Sequence, residues 1–240
     1  MLDNSSLIYR DEDLVAILKP SGISVHRGWD QDGPFALQQV RDLIGRHVFP
    51  VHRLDRPTSG VLVFGLSSEA AHAIQRQFQE GKVEKRYLAL VRGIPQKQGT
   101  VDHPVPRSRD NKERVDAVTD YRVLSTFERF ALVEALPRTG RLHQIRRHMK
   151  HLSCHIIGDV KYGKGEHNRR FRQDFGLRRL ALHALRLSLN HPVSGKGLRL
   201  FAPVPEDLAG PLRLMGLDSS LWNQDQWSRD PWNPDQRSRG

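Results

Sequence analysis

Val61-Leu62-Val63-Phe64 is apolar at four consecutive positions, and this run limits the possible folds more than any other stretch. Side chains of a strand alternate between two faces. A strand with no polar position must therefore be covered on both, inside a layered sheet. The segment before it, His52 to Gly60, is rich in turn residues and charge. The segment after it reads as a helix. Ser67 and Ser68 offer caps, Glu69 favours the first turn, and Ala71, Ile74 and Phe78 form one stripe that stops at Gly81.

The rest of the chain mixes strands and helices without regular alternation. Leu7 to Tyr9 and Leu14 to Leu18 predict a hairpin that ends at Pro20-Ser21-Gly22. Phe35, Leu37, Val40 and Ile44 predict a helix stopped by Gly45. Val83 to Val91, Val118 to Val123, Phe130 to Leu136, Leu180 to Leu189 and Leu198 to Phe201 predict strands. Residues 94–117 read as a Pro-rich connection or small insertion, and 158–180 as a basic loop. Leu142, Ile145, Met149 and Leu152 predict a helix over Arg141 to Leu152. The class is α+β. One domain is expected over 1–217, followed by a disordered tail over 218–240, where aliphatics vanish after Leu221 and a ten-residue Trp-containing pattern repeats.

Charge narrows the partner. Lys and Arg number 38 against 27 acids, a net charge of +11. Between Arg138 and Arg186, 13 Lys or Arg face only Asp159, Glu166 and Asp174. So concentrated a patch favours nucleic acid over a membrane surface. One cysteine, Cys154, excludes an intrachain disulfide. No run reaches membrane-spanning length and the first residues carry no signal-peptide pattern, so a cytosolic protein is expected. No phosphate-binding glycine motif occurs, and no nucleotide cofactor is expected. His148, His151 and His155 have spacings that could bind zinc, but Arg146, Arg147 and Lys150 surround them. No metal site is expected.

The stretch with most chemistry is His52-Arg53-Leu54-Asp55-Arg56-Pro57-Thr58-Ser59-Gly60. Asp55 lies between two arginines on a loop that opens into the buried strand. Nearby cations hold a carboxylate ionised, as a nucleophile must be. An Asp in a turn is also often only a cap, and these residues alone leave both readings open. A nuclease would cluster carboxylates around metal ions, whereas Asp55 has arginine neighbours.

His52-Arg53-Leu54-Asp55 followed by Thr58-Ser59-Gly60 resembles the signature of the RluA family of pseudouridine synthases. Three further stretches resemble family motifs in the same order: Lys19-Pro20-Ser21-Gly22, Lys85-Arg86-Tyr87-Leu88-Ala89-Leu90-Val91, and Arg138-Thr139-Gly140-Arg141-Leu142-His143-Gln144-Ile145-Arg146-Arg147-His148. Pro57, His26-Arg27-Gly28-Trp29 and Gly65-Leu66-Ser67-Ser68-Glu69-Ala70 resemble a subgroup that modifies tRNA.

The resemblance implies a central, mixed but mostly antiparallel sheet with flanking helices and a catalytic cleft. It implies conversion of uridine to pseudouridine in structured RNA, with uridine 65 of tRNA favoured, by a monomer without cofactor. Asp55 is then the nucleophile, Arg146 its partner (with Arg141 as the alternative), and Tyr87 the residue that stacks on uracil and serves as a base. A flipped-out uridine would reach Asp55, with Arg53 filling the gap. Arg56, Arg141, His143, Arg169, Arg170, Arg172, Arg178 and Arg179 are the expected RNA contacts. The alternatives are the same reaction on ribosomal RNA, or an RNA-binding module without catalysis.

Overall fold

The computed structural model describes residues 2–27, 33–108, 110–111 and 113–224. In chain order the elements are β1 (Leu7–Arg10), β2 (Leu14–Lys19), α1 (Ala36–Ile44), β3 (Phe49–Pro50), β4 (Ser59–Gly65), α2 (Ser68–Gln79), β5 (Glu84–Arg92), β6 (Gln98–Asp102), β7 (Val105–Pro106), β8 (Arg114–Val115), β9 (Val118–Phe127), β10 (Phe130–Pro137), α3 (Gln144–His151), α4 (Gly165–Asp174), β11 (Leu182–Asn190), β12 (Gly197–Phe201) and α5 (Glu206–Leu214). One sheet runs β1-β2-β4-β11-β5-β10-β9-β6, with β12 beside β11 and β3 beside β4. The class is α+β.

The apolar run Val61–Phe64 lies in β4, and both its faces are covered. Leu62 and Phe64 pack with Ala36, Val40 and Ile44 of α1. Val61 and Val63 pack with Ala71 and Ile74 of α2. Ser67 caps α2 by accepting from the Ala70 N–H, and Gly45 ends α1 at φ +65°.

The sheet changes character between β4 and β11. This pairing is parallel and lasts two residue pairs, Ser59 with His183 and Gly60 with Ala184. Beyond it β12 takes the free edge of β11, from Arg186 to Asn190. Gly60 permits the contact. It has φ +125°, and a Cβ there would lie 2.2 Å from the Ala184 carbonyl oxygen. Beside it, buried Ser59 Oγ lies 2.7 Å from His183 Nδ1, and His183 Nε2 donates to the Ala202 carbonyl at 3.0 Å. A glycine and a serine of one motif thus join the two halves of the sheet, directly after the Asp55 loop.

The structure corrects two expectations and adds detail to two others. Residues 158–180 are not all loop, because α4 forms around buried Phe171, whose ring meets Phe130 at 4.6 Å. One buried residue, Phe171, in a ten-residue helix leaves no periodic stripe to read. Residues 94–117 contribute β6 to the sheet edge and the β7–β8 hairpin. Helix α3 begins at Gln144 rather than Arg141, since His143 has φ +53°. The fold also extends past 217: Trp222 is buried against the main core at the end of a short 3-10 turn, Ser219–Trp222. Gly28, Trp29 and the remainder of the Trp-containing tail from 225 lie outside the described residues.

Candidate active site

The loop bearing Asp55 is clamped from behind. Its turn closes through the Thr58 N–H donating to the Asp55 carbonyl at 3.0 Å. Fully buried Lys19 donates to the carbonyls of Pro20 at 2.9 Å, Ile23 at 2.8 Å and Arg56 at 3.3 Å. The Gly22 N–H donates to the same Arg56 carbonyl, and Ser21 Oγ donates to the Pro57 carbonyl. The Lys-Pro-Ser-Gly element is thereby a scaffold for the Asp55 turn. Burial and Arg179 push Lys19 down to about 7, opposed by the charge of Asp55.

Asp55 is one-sixth exposed and faces Arg146. Arg146 Nη1 donates to Asp55 Oδ2 at 3.0 Å. The other edge of the guanidinium grips buried Asp159 bidentately, Nε at 2.8 Å and Nη2 at 2.9 Å. Asp159 is itself held, accepting from the N–H groups of Lys161 and Tyr162. Arg146 therefore has a fixed plane and one aimed N–H, which a lysine could not supply. Burial opposes the charge of Asp159, but Arg146 and the two backbone donors outweigh it, so its carboxyl lies below the usual range. The pairing falls to Arg146. Arg141 turns instead to the Asp116 carbonyl at 3.1 Å.

His143 is nearly buried at the mouth of α3, with Nε2 3.8 Å from Asp55 Oδ2. Its left-handed backbone is unusual for a residue with a Cβ. Gln144 holds this turn with all its amide groups. Oε1 accepts from Thr139 Oγ1 and the Arg141 N–H, while Nε2 donates to the Val118 carbonyl and Thr119 Oγ1.

A cleft of about 550 Å³ opens over these groups, lined by Arg53, Asp55, Tyr87, Arg141, His143 and Arg146. Its size suits a nucleotide. Tyr87 comes from the middle of β5, and burial together with the charge of Asp55 raises its phenol. That keeps Tyr87 protonated in the free protein and favours a stacking ring over a ready base. Lys85, Arg107 and Arg138 also line the cleft and are not among the expected RNA contacts, although Lys85 and Arg138 stand in the family motifs; for Arg107 no feature of the local sequence marks it. Arg107 sits between β7 and β8 and pairs with Glu113 at 2.9 Å.

The other expected RNA contacts are dispersed. Arg53 and Arg56 are exposed beside Asp55, and Arg56 Nε donates to the Gly22 carbonyl. Arg169 and Arg172 are exposed on α4, and Arg178 is exposed after it. Arg170 is engaged by Glu128 at 3.0 Å and Asp174 at 3.2 Å. Arg179 departs from the expectation of a phosphate contact. Its side chain is 8% exposed, and it donates to Asp207, Ser59 Oγ and the Leu180 carbonyl. It braces the β4–β11 junction because its neighbours Leu180 and Leu182 are core residues. Asp159 and Tyr162 are site residues that sequence reasoning misses. The one signal for them is an acid in a basic run, bracketed by Gly158 and Gly163; a Cβ on Gly163 would lie 2.3 Å from the Asp159 carbonyl oxygen.

A split, mixed sheet with an arginine-held aspartate in a basic cleft matches a known class. Residues 13–151 match the RNA pseudouridylate synthase family model. The chain belongs to this family of pseudouridine synthases. It is 43% identical to tRNA pseudouridine synthase C of Vibrio cholerae serotype O1, over 90% of this chain and 97% of that protein. It is 46% identical to the Salmonella typhimurium enzyme of the same name, over 83% of this chain and 85% of that protein. Among solved structures, human RNA pseudouridylate synthase domain containing 4 superposes with a TM-score of 0.73 at 28% identity, covering 89% of this chain and 94% of that one.

Proposed function

We propose that this chain converts a uridine of tRNA to pseudouridine in the cytosol, at position 65, with Asp55 as nucleophile. The observation that carries the reading is Asp55 itself, held by Arg146 at 3.0 Å inside a cation-lined cleft. Its relatives' shared name supports tRNA as the substrate.

The reaction breaks the C1′–N1 bond, turns the uracil, and joins C1′ to C5. N1 ends with a proton and C5 loses one, so atoms balance without an added group. Asp55 attacks C1′ as uracil departs, then leaves when C5 bonds. Arg146 orients the carboxylate and offsets its charge beside polyanionic RNA. Tyr87 supplies a ring against the extruded base, and Arg53 fills the vacated stack. Exposed Arg169, Arg172 and Arg178 grip phosphates, which position the RNA without reading its sequence.

Asp55→Asn tests the assignment. Carbodiimide mapping of tRNA treated with the variant is expected to show no pseudouridine, while tRNA affinity stays within a few-fold of wild type. Retained isomerisation would overturn the nucleophile role.

A further inference from the structure

Tyr162 lies outside the chemistry assigned to Asp55, Tyr87 and Arg146, yet the site is built around it. Arg146 stands 5.1 Å from its ring centroid, with Arg147, Lys150 and Lys161 within 5.9 Å. Its hydroxyl joins two groups. Arg147 Nε donates to the Tyr162 oxygen at 3.0 Å, and that oxygen lies 2.9 Å from His143 Nδ1.

Counting hydrogens leaves the phenol free to donate in the second bond. Arg147 has donors only, so the phenol oxygen accepts from it. The single phenol hydrogen is then available to His143 Nδ1, 2.9 Å away. Burial, together with the cations Arg146, Lys161 and Arg147, outweighs the pull of Asp55 and pushes His143 down to about 4, so its ring is neutral at pH 7. A neutral imidazole carries one hydrogen and one lone pair. With Nδ1 accepting, the hydrogen is on Nε2. That nitrogen is 3.8 Å from Asp55 Oδ2, the oxygen already held by Arg146.

We propose that Tyr162 is a positioning residue, which through its hydroxyl fixes His143 as the Nε2–H tautomer and so aims an uncharged donor at the Asp55 carboxylate. The proposal rests on the reading of Asp55 as nucleophile. The other tautomer would turn a lone pair toward a carboxylate and repel it. A charged imidazolium would add a second cation to a carboxylate that Arg146 already holds, and blunt its attack. A neutral N–H at 3.8 Å does neither. It can close on Oδ2 as negative charge returns there, when the bond to C1′ breaks.

Tyr162→Phe removes the hydroxyl and keeps the ring. Two measurements apply at about pH 7.5, where a neutral imidazole holds its single hydrogen. Long-range proton–nitrogen spectra of protein labelled with 15N-histidine, assigned by comparison with His143→Gln, report the tautomer. Single-turnover pseudouridylation of tRNA reports the rate. Wild type is expected to show hydrogen on Nε2 alone, and Tyr162→Phe a mixture of tautomers. The variant's rate is expected to fall by about 10- to 100-fold, at or below the low end for a placed proton-transferring group because Tyr162 acts through His143, with tRNA affinity within twofold. Hydrogen on Nδ1 in wild type, an unchanged tautomer in the variant, or a variant rate within twofold of wild type would each overturn the proposal. The wild-type spectrum decides the tautomer even if the variant does not fold. An active Asp55→Asn would instead overturn the nucleophile reading and leave that spectrum unaffected.

Discussion

At the scale of single residues, the site depends on one guanidinium shared between two acids. Arg146 gives two N–H groups to Asp159 and one to Asp55. Asp159 thus sets the plane of Arg146, and Arg146 sets Asp55. Asp159→Asn places an NH2 group against the guanidinium and removes half of the grip. The expected result is a kcat about 100-fold lower with KM within a few-fold, since misorientation harms the chemical step more than binding. Stability should also fall by about 3 kcal/mol, the usual loss when a buried ion pair is broken from one side. Steady-state kinetics and urea unfolding check the two parts separately. In the sequence only the bracketing Gly158 and Gly163 set Asp159 apart from Glu166 and Asp174 in the same basic segment; its burial and its two backbone donors appear only in the fold.

At the scale of elements, the weak point is the two-residue pairing between β4 and β11. Gly60→Ala would place a methyl 2.2 Å from a backbone oxygen and hold φ +125° with a Cβ present. Backbone cannot yield there without parting the strands. The variant is expected to lose at least about 3 kcal/mol, read as a lower urea midpoint, or to accumulate as insoluble protein. Helix α4 should behave in the opposite way. Arg169 and Arg172 are exposed on it, while Phe171 anchors it. Changing both arginines to Gln is expected to leave stability and single-turnover rate unchanged at saturation. It should weaken tRNA binding and flatten the log–log salt dependence by about one unit for each phosphate no longer neutralised. A fluorescence titration at several salt concentrations would show this.

At the scale of the whole molecule, one buried and one half-buried histidine couple folding to pH. His183 is fully buried and joins Ser59 to Ala202, and burial pushes it down to about 3. His52 accepts from the Val63 N–H at 3.0 Å and is also pushed down to about 3. The unfolded chain takes up these protons near pH 6.5, whereas the folded chain refuses them until near 3. The unfolded state then binds more protons across that window, so stability falls as pH falls. Each histidine contributes about 1.4 kcal/mol per pH unit below about 6.5. Urea unfolding at about pH 7, 6 and 5 should show this loss before the carboxylates, including Asp159 with its lowered value, begin to titrate.

The sequence by itself determined that the strongest apolar runs are buried and which residues are candidates for the chemistry. A run such as Val61–Phe64 must be covered on both faces wherever it lies. An Asp between arginines, with Tyr87 and Arg146 in ordered motifs, carries its chemical type in local residue identity. Tertiary structure decided which partners those residues have. Arg141 stands as the alternative to Arg146 for holding Asp55 until the turn at His143 directs one to Asp116 and the other into the cleft. Arg179 looks like a phosphate ligand until the strand beside it buries its guanidinium. Asp159 and Tyr162 show no role until the loop closes on Arg146 and His143. The reason is physical. Hydrophobic patterning and turn chemistry act between near neighbours in sequence, whereas a hydrogen bond of 3.0 Å between residues 91 positions apart depends on every element that brings them together.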